Sequence, residues 1–236
     1  MNSFRVATPF VRDLRAGDWF QTFLVTAVST VLVVRSYLAL TGYPQLGNDV
    51  LHIAHVLPGG LLMLVAIILM LGFLNKESKA LAAFLGGIGF GLFIDELGKF
   101  LTKDTNYFFE PTVGLIYAVF IIIFLVTRWI EDRRVSSQEY VINAFEATKE
   151  VALHDLDKAE QRRALEYLQA AGVKDPAARA VERMLKQIET APNPRPHWYT
   201  RLGRRFATTY RRIIRRKWFN TAVITFFVLG SAAGLA

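Results

Sequence analysis

Apolar residues in this chain run in long, nearly unbroken stretches rather than the short alternations of a soluble core. Five stand out: Trp19–Leu40, Ile53–Leu74, Ala80–Leu101, Thr112–Ile130 and Trp218–Ala236. Each has about 19 residues or more, enough as a helix to cross roughly 30 Å of hydrocarbon. The pattern predicts an all-α fold, a polytopic transmembrane helical bundle of five spans. Eighteen residues holding Arg5, Asp13, Arg15 and Asp18 precede the first run, with no small-residue cleavage site. That reads as a retained helix rather than a signal peptide. The last run ends at Ala236 without a polar flank, which points to a longer chain or to a helix that packs on a partner.

Between the fourth and fifth runs the pattern changes to helical amphipathy with clear punctuation. Ser136 with Glu139, and Asp157 with Glu160, have capping-box spacing. Asp175-Pro176 sets a cap before a proline at the first helical position, and Gly172 suits a helix stop. Val141, Phe145 and Val151, then Leu165 and Leu168, then Val181, Leu185 and Ile188 recur at helical spacing. Three short helices are expected, forming a small bundle or lying on the membrane or a protein partner. The Pro192-Asn-Pro-Arg-Pro196 segment is a stiff connector. Beyond it, Trp198, Leu202, Phe206, Tyr210 and Ile213 form one stripe of a basic amphipathic helix that leads into the last span. The expected divisions are 1–130, a membrane domain; 131–196, a helical insert with its connector; and 197–236, the basic helix and final span.

Charge adds an orientation. The net charge is +8, but nine Lys/Arg and no acid fall between Arg195 and Lys217. A basic block abutting an apolar run suits anionic lipid, and no recognition motif accompanies it to suggest nucleic acid. Lys76 and Lys79 occupy the turn between the second and third runs, and Arg128, Arg133 and Arg134 the exit of the fourth, whereas Thr41–Leu51 carries no Lys or Arg. The positive-inside rule therefore predicts a cytoplasmic N-terminus and insert in a multi-pass protein of the cell membrane. The chain has no cysteine, which excludes disulfides, thiolate metal sites and cysteine nucleophiles.

The candidate chemistry gathers at the outer ends of the runs. His52 and His55 open the second, and Asp95, Glu96 and Lys99 close the third. Arg35 comes late in the first, and Tyr107 and Glu110 follow the third. Ionisable groups are costly in hydrocarbon and usually mark a pathway or a site. Gly87 and Gly91, in small-xxx-small spacing, and Gly59 would let the backbones approach closely enough to join these groups. Three readings stand. In a structural one, Lys99 and Arg35 neutralise Asp95 and Glu96. In a second, His52 and His55 share a helix face and, with Glu96, offer a His₂-carboxylate set to Zn²⁺ or Fe²⁺. Glu96 or Asp95 would then serve as base or ligand for hydrolysis, with Arg35, Lys99 and Tyr107 binding an anionic substrate. The third is an ion or proton path.

The blocks His52-Ile-Ala-His55, Gly89-Phe-Gly-Leu-Phe-Ile-Asp-Glu-Leu-Gly-Lys-Phe100 and Asn106-Tyr-Phe-Phe-Glu-Pro111 resemble those of a set of uncharacterised bacterial multi-pass membrane proteins. More distantly the arrangement is similar to VanZ-like membrane proteins, with His52 and Glu96 as the matching positions. Asn48 stands where that pattern has aspartate, and Lys99 where it has glutamine. The resemblance implies a bacterial cell-envelope setting and carries no reaction. The functional expectation is an envelope membrane protein with an outward-facing His/carboxylate pocket. Its rival is a sensor or scaffold whose insert recruits a partner.

Overall fold

The computed structural model describes residues 10–41, 47–48, 51–52, 56–101, 110–172 and 176–190. They form seven helices: α1 (Ala16–Thr41), α2 (Val56–Gly72), α3 (Lys76–Leu101), α4 (Glu110–Glu131), α5 (Ser137–Ala152), α6 (Lys158–Ala171) and α7 (Pro176–Gln187). The single extended element among the described residues is an antiparallel pairing of β1 (Gly47–Asn48) with β2 (Leu51–His52). The fold is all-α. Among the described residues two helices are long and apolar enough to cross a membrane, over Ala16–Tyr37 and Lys76–Glu96, and Val56–Gly72 is a shorter apolar helix. By chain contacts the molecule divides into Met1–Arg195 and Pro196–Ala236. The basic helix and last apolar run expected in the second unit lie outside the described residues.

Glycines set how closely the first three helices approach. On the α1-facing side of α3, a Cβ at Gly87 would stand 2.6 Å from the Phe23 carbonyl oxygen, and one at Gly91 2.6 Å from that of Ala27. Another side of α3 meets α2 in the same way. A Cβ at Gly89 would fall 2.6 Å from Gly59 O, and one at Gly59 would fall 2.8 Å from Gly89 O. Real side chains do not fit at such distances, so helix backbones touch directly through these four residues. Toward the far end of α3, Ile94 packs with Val31 of α1 and Ile116 of α4, and Phe90 meets Phe120 edge-on. The outward faces of α2 and α4 are apolar, with Leu61, Leu64, Ile68, Leu71, Ile122, Leu125 and Trp129 all exposed.

The insert folds as its punctuation predicts. Both capping boxes form: Ser136 with Glu139 starts α5, and Asp157 with Glu160 starts α6. Gly172 ends α6 in the left-handed conformation at φ 60°, which glycine adopts without steric cost. Pro176 is the first residue of α7. Ala144, Leu156, Ala164, Leu168, Ala178 and Leu185 form one core shared by the three helices. Of the arrangements expected, this is the small bundle.

One local expectation needs correction. The apolar run expected as helix from Ile53 is described as helix from Val56, and His52 belongs to β2, where it pairs with Gly47. Gly47, Asn48 and Asp49 favour turns over helix. His52 is therefore in β2 and not on α2, and His55 lies outside the described residues.

Candidate functional site

At the Leu101 end of α3 the bundle brings together three of the charged groups picked from the sequence. Arg35 Nε donates to Asp95 Oδ1 at 2.7 Å. Asp95 is 4% exposed and Glu96, the next residue, 3%. The glycine contacts explain the meeting: Gly91 seats on Ala27, and Asp95, one turn further along α3, is reached by the long side chain of Arg35, about two turns further along α1. The same register places the start of α2. A Cβ at Gly59 would be 2.9 Å from Phe93 N. Three residues on from Phe93, Glu96 is therefore level with Val56, three residues before Gly59, where β2 feeds into α2. The side chains of His52 and Lys99, and the whole of His55 and Tyr107, lie outside the described residues. Among the described residues no group of three His, Asp or Glu is placed to hold a metal.

The opposite end of the bundle carries a second charged assembly that sequence reading did not foresee. Here the insert docks on the segment before α1 and on the start of α3. Arg12 Nε donates to Glu139 Oε1 at 3.0 Å, and its Nη1 and Nη2 reach the carbonyls of Ile130 at 2.7 Å and Arg134 at 3.1 Å. Asn143 of α5 answers it. Its Oδ1 accepts from Leu14 N at 2.8 Å and its Nδ2 donates to Arg12 O at 2.7 Å. Lys76, the first residue of α3, is held by Glu160 at 2.9 Å, Asp155 at 3.0 Å and Glu150 at 3.4 Å. Lys79 pairs with Asp13 at 2.9 Å, and Arg15 lies 3.5 Å from Glu160.

Burial and pairing move the acids in opposite directions. The Arg12 hydrogen bond is the main force on Glu139. Against the cost of burial, it holds that carboxyl at about 2. Burial dominates at Glu150 and raises its carboxyl, with only partial relief from Lys76 and further repulsion from Glu160 and Glu77. Burial also pushes Asp13 upward, but its hydrogen bonds from Lys79 and the Arg15 backbone leave it below the ordinary value.

From sequence, Lys76 and Lys79 are only turn charges that set the orientation, and Arg12 carries no reading. Their partners lie 66 to 127 residues away, a separation no local pattern encodes. The one available signal was doubled use of a residue type. Glu139 and Glu160 cap their helices with one oxygen or the other and still have capacity for a cation. Comparison with family models, curated proteins and solved structures found no match for this chain.

Proposed function

We propose that the chain is a polytopic α-helical protein of the bacterial cytoplasmic membrane, with five spans, and that the Arg35–Asp95–Glu96 cluster is a ligand site open to the extracytoplasmic face. The observation that carries this reading is the 2.7 Å Arg35–Asp95 bond beside buried Glu96. Withdrawing the Asp95 and Glu96 carboxylates from water costs several kcal/mol per ion unless each is compensated. The bundle does not need them for register, because Gly59, Gly87, Gly89 and Gly91 already fix α3 against its neighbours. Charges that are expensive and unnecessary for packing are best explained by a ligand.

On this reading Arg35 and Lys99 anchor an anionic lipid headgroup or envelope substrate, with Tyr107 at the mouth. His52 and His55 join Glu96 as ligands for Zn²⁺ or Fe²⁺. The metal, when bound, would supply an activated water for hydrolysis. Elemental analysis of the detergent-purified protein tests it. One equivalent of metal is expected, lost in both His55→Ala and Glu96→Gln while the helical circular dichroism is kept. Wild-type protein without stoichiometric metal, or variants that retain it, would remove the metal-site reading.

A second reading, a sensor or scaffold that works through its insert, is favoured by one observation. Lys76 of α3 is held by three acids of the insert, so the helix that carries Asp95 and Glu96 is gripped at its other end by α5, α6 and the segment joining them.

A further inference from the structure

A cavity of about 80 Å³ opens where the segment before α1, the start of α3, and helices α5 and α6 meet. A single water needs roughly 10–15 Å³ on this measure, so the space admits a small molecule. The cavity lies at the end of the bundle away from Arg35 and Asp95, and the argument for it does not depend on them. Its lining holds five cations, Arg15, Lys76, Lys79, Lys149 and Arg163, and four carboxylates, Asp13, Glu146, Glu150 and Glu160.

Most of these charges are matched. Lys79 pairs with Asp13, Lys149 with Glu146, and Lys76 with Glu160, Asp155 and, at the longer distance of 3.4 Å, Glu150. Arg163 makes no hydrogen bond or ion pair among the described residues. Two buried side-chain atoms among the described residues have no hydrogen-bond partner, Arg15 Nε and Glu150 Oε2, and both residues line this cavity. One is a donor and the other an acceptor. They are neighbours through a short chain of contacts: Arg15 Nη1 lies 3.5 Å from one oxygen of Glu160. Lys76, 2.9 Å from the other Glu160 oxygen, stands 3.4 Å from Glu150 Oε2. Arg15 is further fixed by its guanidinium, 5.0 Å from the Trp19 ring centroid.

An isolated anion would satisfy Arg15 and Arg163 but would be repelled by Glu150, and an isolated cation would do the reverse. We propose that the cavity is a binding site for a small zwitterion, whose carboxylate or phosphate meets Arg15 and Arg163 and whose ammonium meets Glu150. Guanidinium suits either oxyanion, and the ammonium supplies an aligned hydrogen bond to Glu150 Oε2, which has only the Lys76 ion pair at 3.4 Å. Such a group exists free, as in an amino acid or aminoalkyl phosphate, and as the headgroup of an aminophospholipid.

Titration calorimetry on the full-length protein in detergent tests the proposal, with O-phosphoethanolamine as probe and inorganic phosphate and ethylammonium as single-charge controls. Saturable binding of the probe is expected, with both controls at least tenfold weaker. Glu150→Gln and Arg163→Gln should each weaken the probe about tenfold or more, with melting curves recorded to show that both variants are folded. Arg163→Gln removes a half-buried group that makes no hydrogen bond or ion pair among the described residues, so it keeps the test valid if the other variant unfolds. Absence of probe binding, equal binding of phosphate alone, or wild-type affinity in a folded variant would each overturn the proposal. Reconstitution in nanodiscs then separates the sources. Competition by phosphatidylethanolamine but not phosphatidylglycerol supports a lipid headgroup, and absence of competition supports a soluble zwitterion.

Discussion

Glu139 and Glu150 lie three turns apart on α5, and burial acts on both. Arg12 reverses its effect at Glu139, whose carboxyl falls from 4.5 to about 2. A depressed carboxyl contributes stability that is present above the unfolded value and lost as pH falls through the folded one. The Arg12–Glu139 contact should therefore weaken between pH 4.5 and about 2. Arg12→Met, which also strips partners from the α4 carbonyls, is expected to cost about 3–5 kcal/mol in chemical denaturation at neutral pH. At Glu150 the sign is opposite. Its raised carboxyl makes the charged form unfavourable, so its contribution turns destabilising as pH rises above 4.5 through the folded value. Glu150→Gln should stabilise the protein by about 1 kcal/mol at pH 7, with the gain vanishing below pH 4.5. A Glu150→Gln protein that melts lower than wild type at pH 7 would show that Lys76 outweighs burial.

Among the elements, α3 has the most demanding surface, since two of its faces lie against backbone. Gly91→Val would drive side-chain atoms into the Ala27 carbonyl and Thr30, prising α1 from α3 just before the Arg35–Asp95 pair. Gly60, one residue from the tightly packed Gly59, has nothing within 4 Å of a built Cβ. Gly60→Ala should leave the melting temperature within a few degrees of wild type, or raise it, because alanine favours helix by about 1 kcal/mol. Gly91→Val should lower it by far more, about 3 kcal/mol or above. Equal effects at both positions would refute the glycine register. Much of this was legible because it is local: Ser136 with Glu139, Asp157 with Glu160, and the Gly87/Gly91 spacing each carry their meaning within a few residues. That Arg35 and Asp95 lie at the same end was legible from their places late in the first and third runs. The Lys76 cage and the Arg12 clamp were not legible, because a lysine at a helix start looks the same whether water or three distant carboxylates surround it. His52 misled for a different reason: its apolar neighbours suggest a helix, whereas Leu51 and His52 pair with Asn48 and Gly47.

At the scale of the whole molecule, the exposed apolar faces of α2 and α4 are the feature a water-soluble monomer would least tolerate. They support burial in lipid, with Trp129 and the guanidinium of Arg133, 3.7 Å from its ring centroid, at the exit of α4. That placement has a consequence for sidedness. Arg133, Arg134, Lys76 and the insert all gather at one end of the bundle, and Arg35, Asp95 and Glu96 at the other. Positive residues stay on the cytoplasmic side, so the charged cluster must face outward if the membrane reading holds. The chain lacks cysteine, which allows a clean test by single substitution. Thr105→Cys, just after α3, should react with a membrane-impermeant maleimide in intact cells, whereas Asp132→Cys, just after α4, should react only after permeabilisation. The inverse labelling would turn the Arg35–Asp95 cluster toward the cytoplasm and end the case for an envelope substrate. Labelling at both positions in intact cells, with the protein shown to be folded, would mean that α4 does not separate two compartments at all.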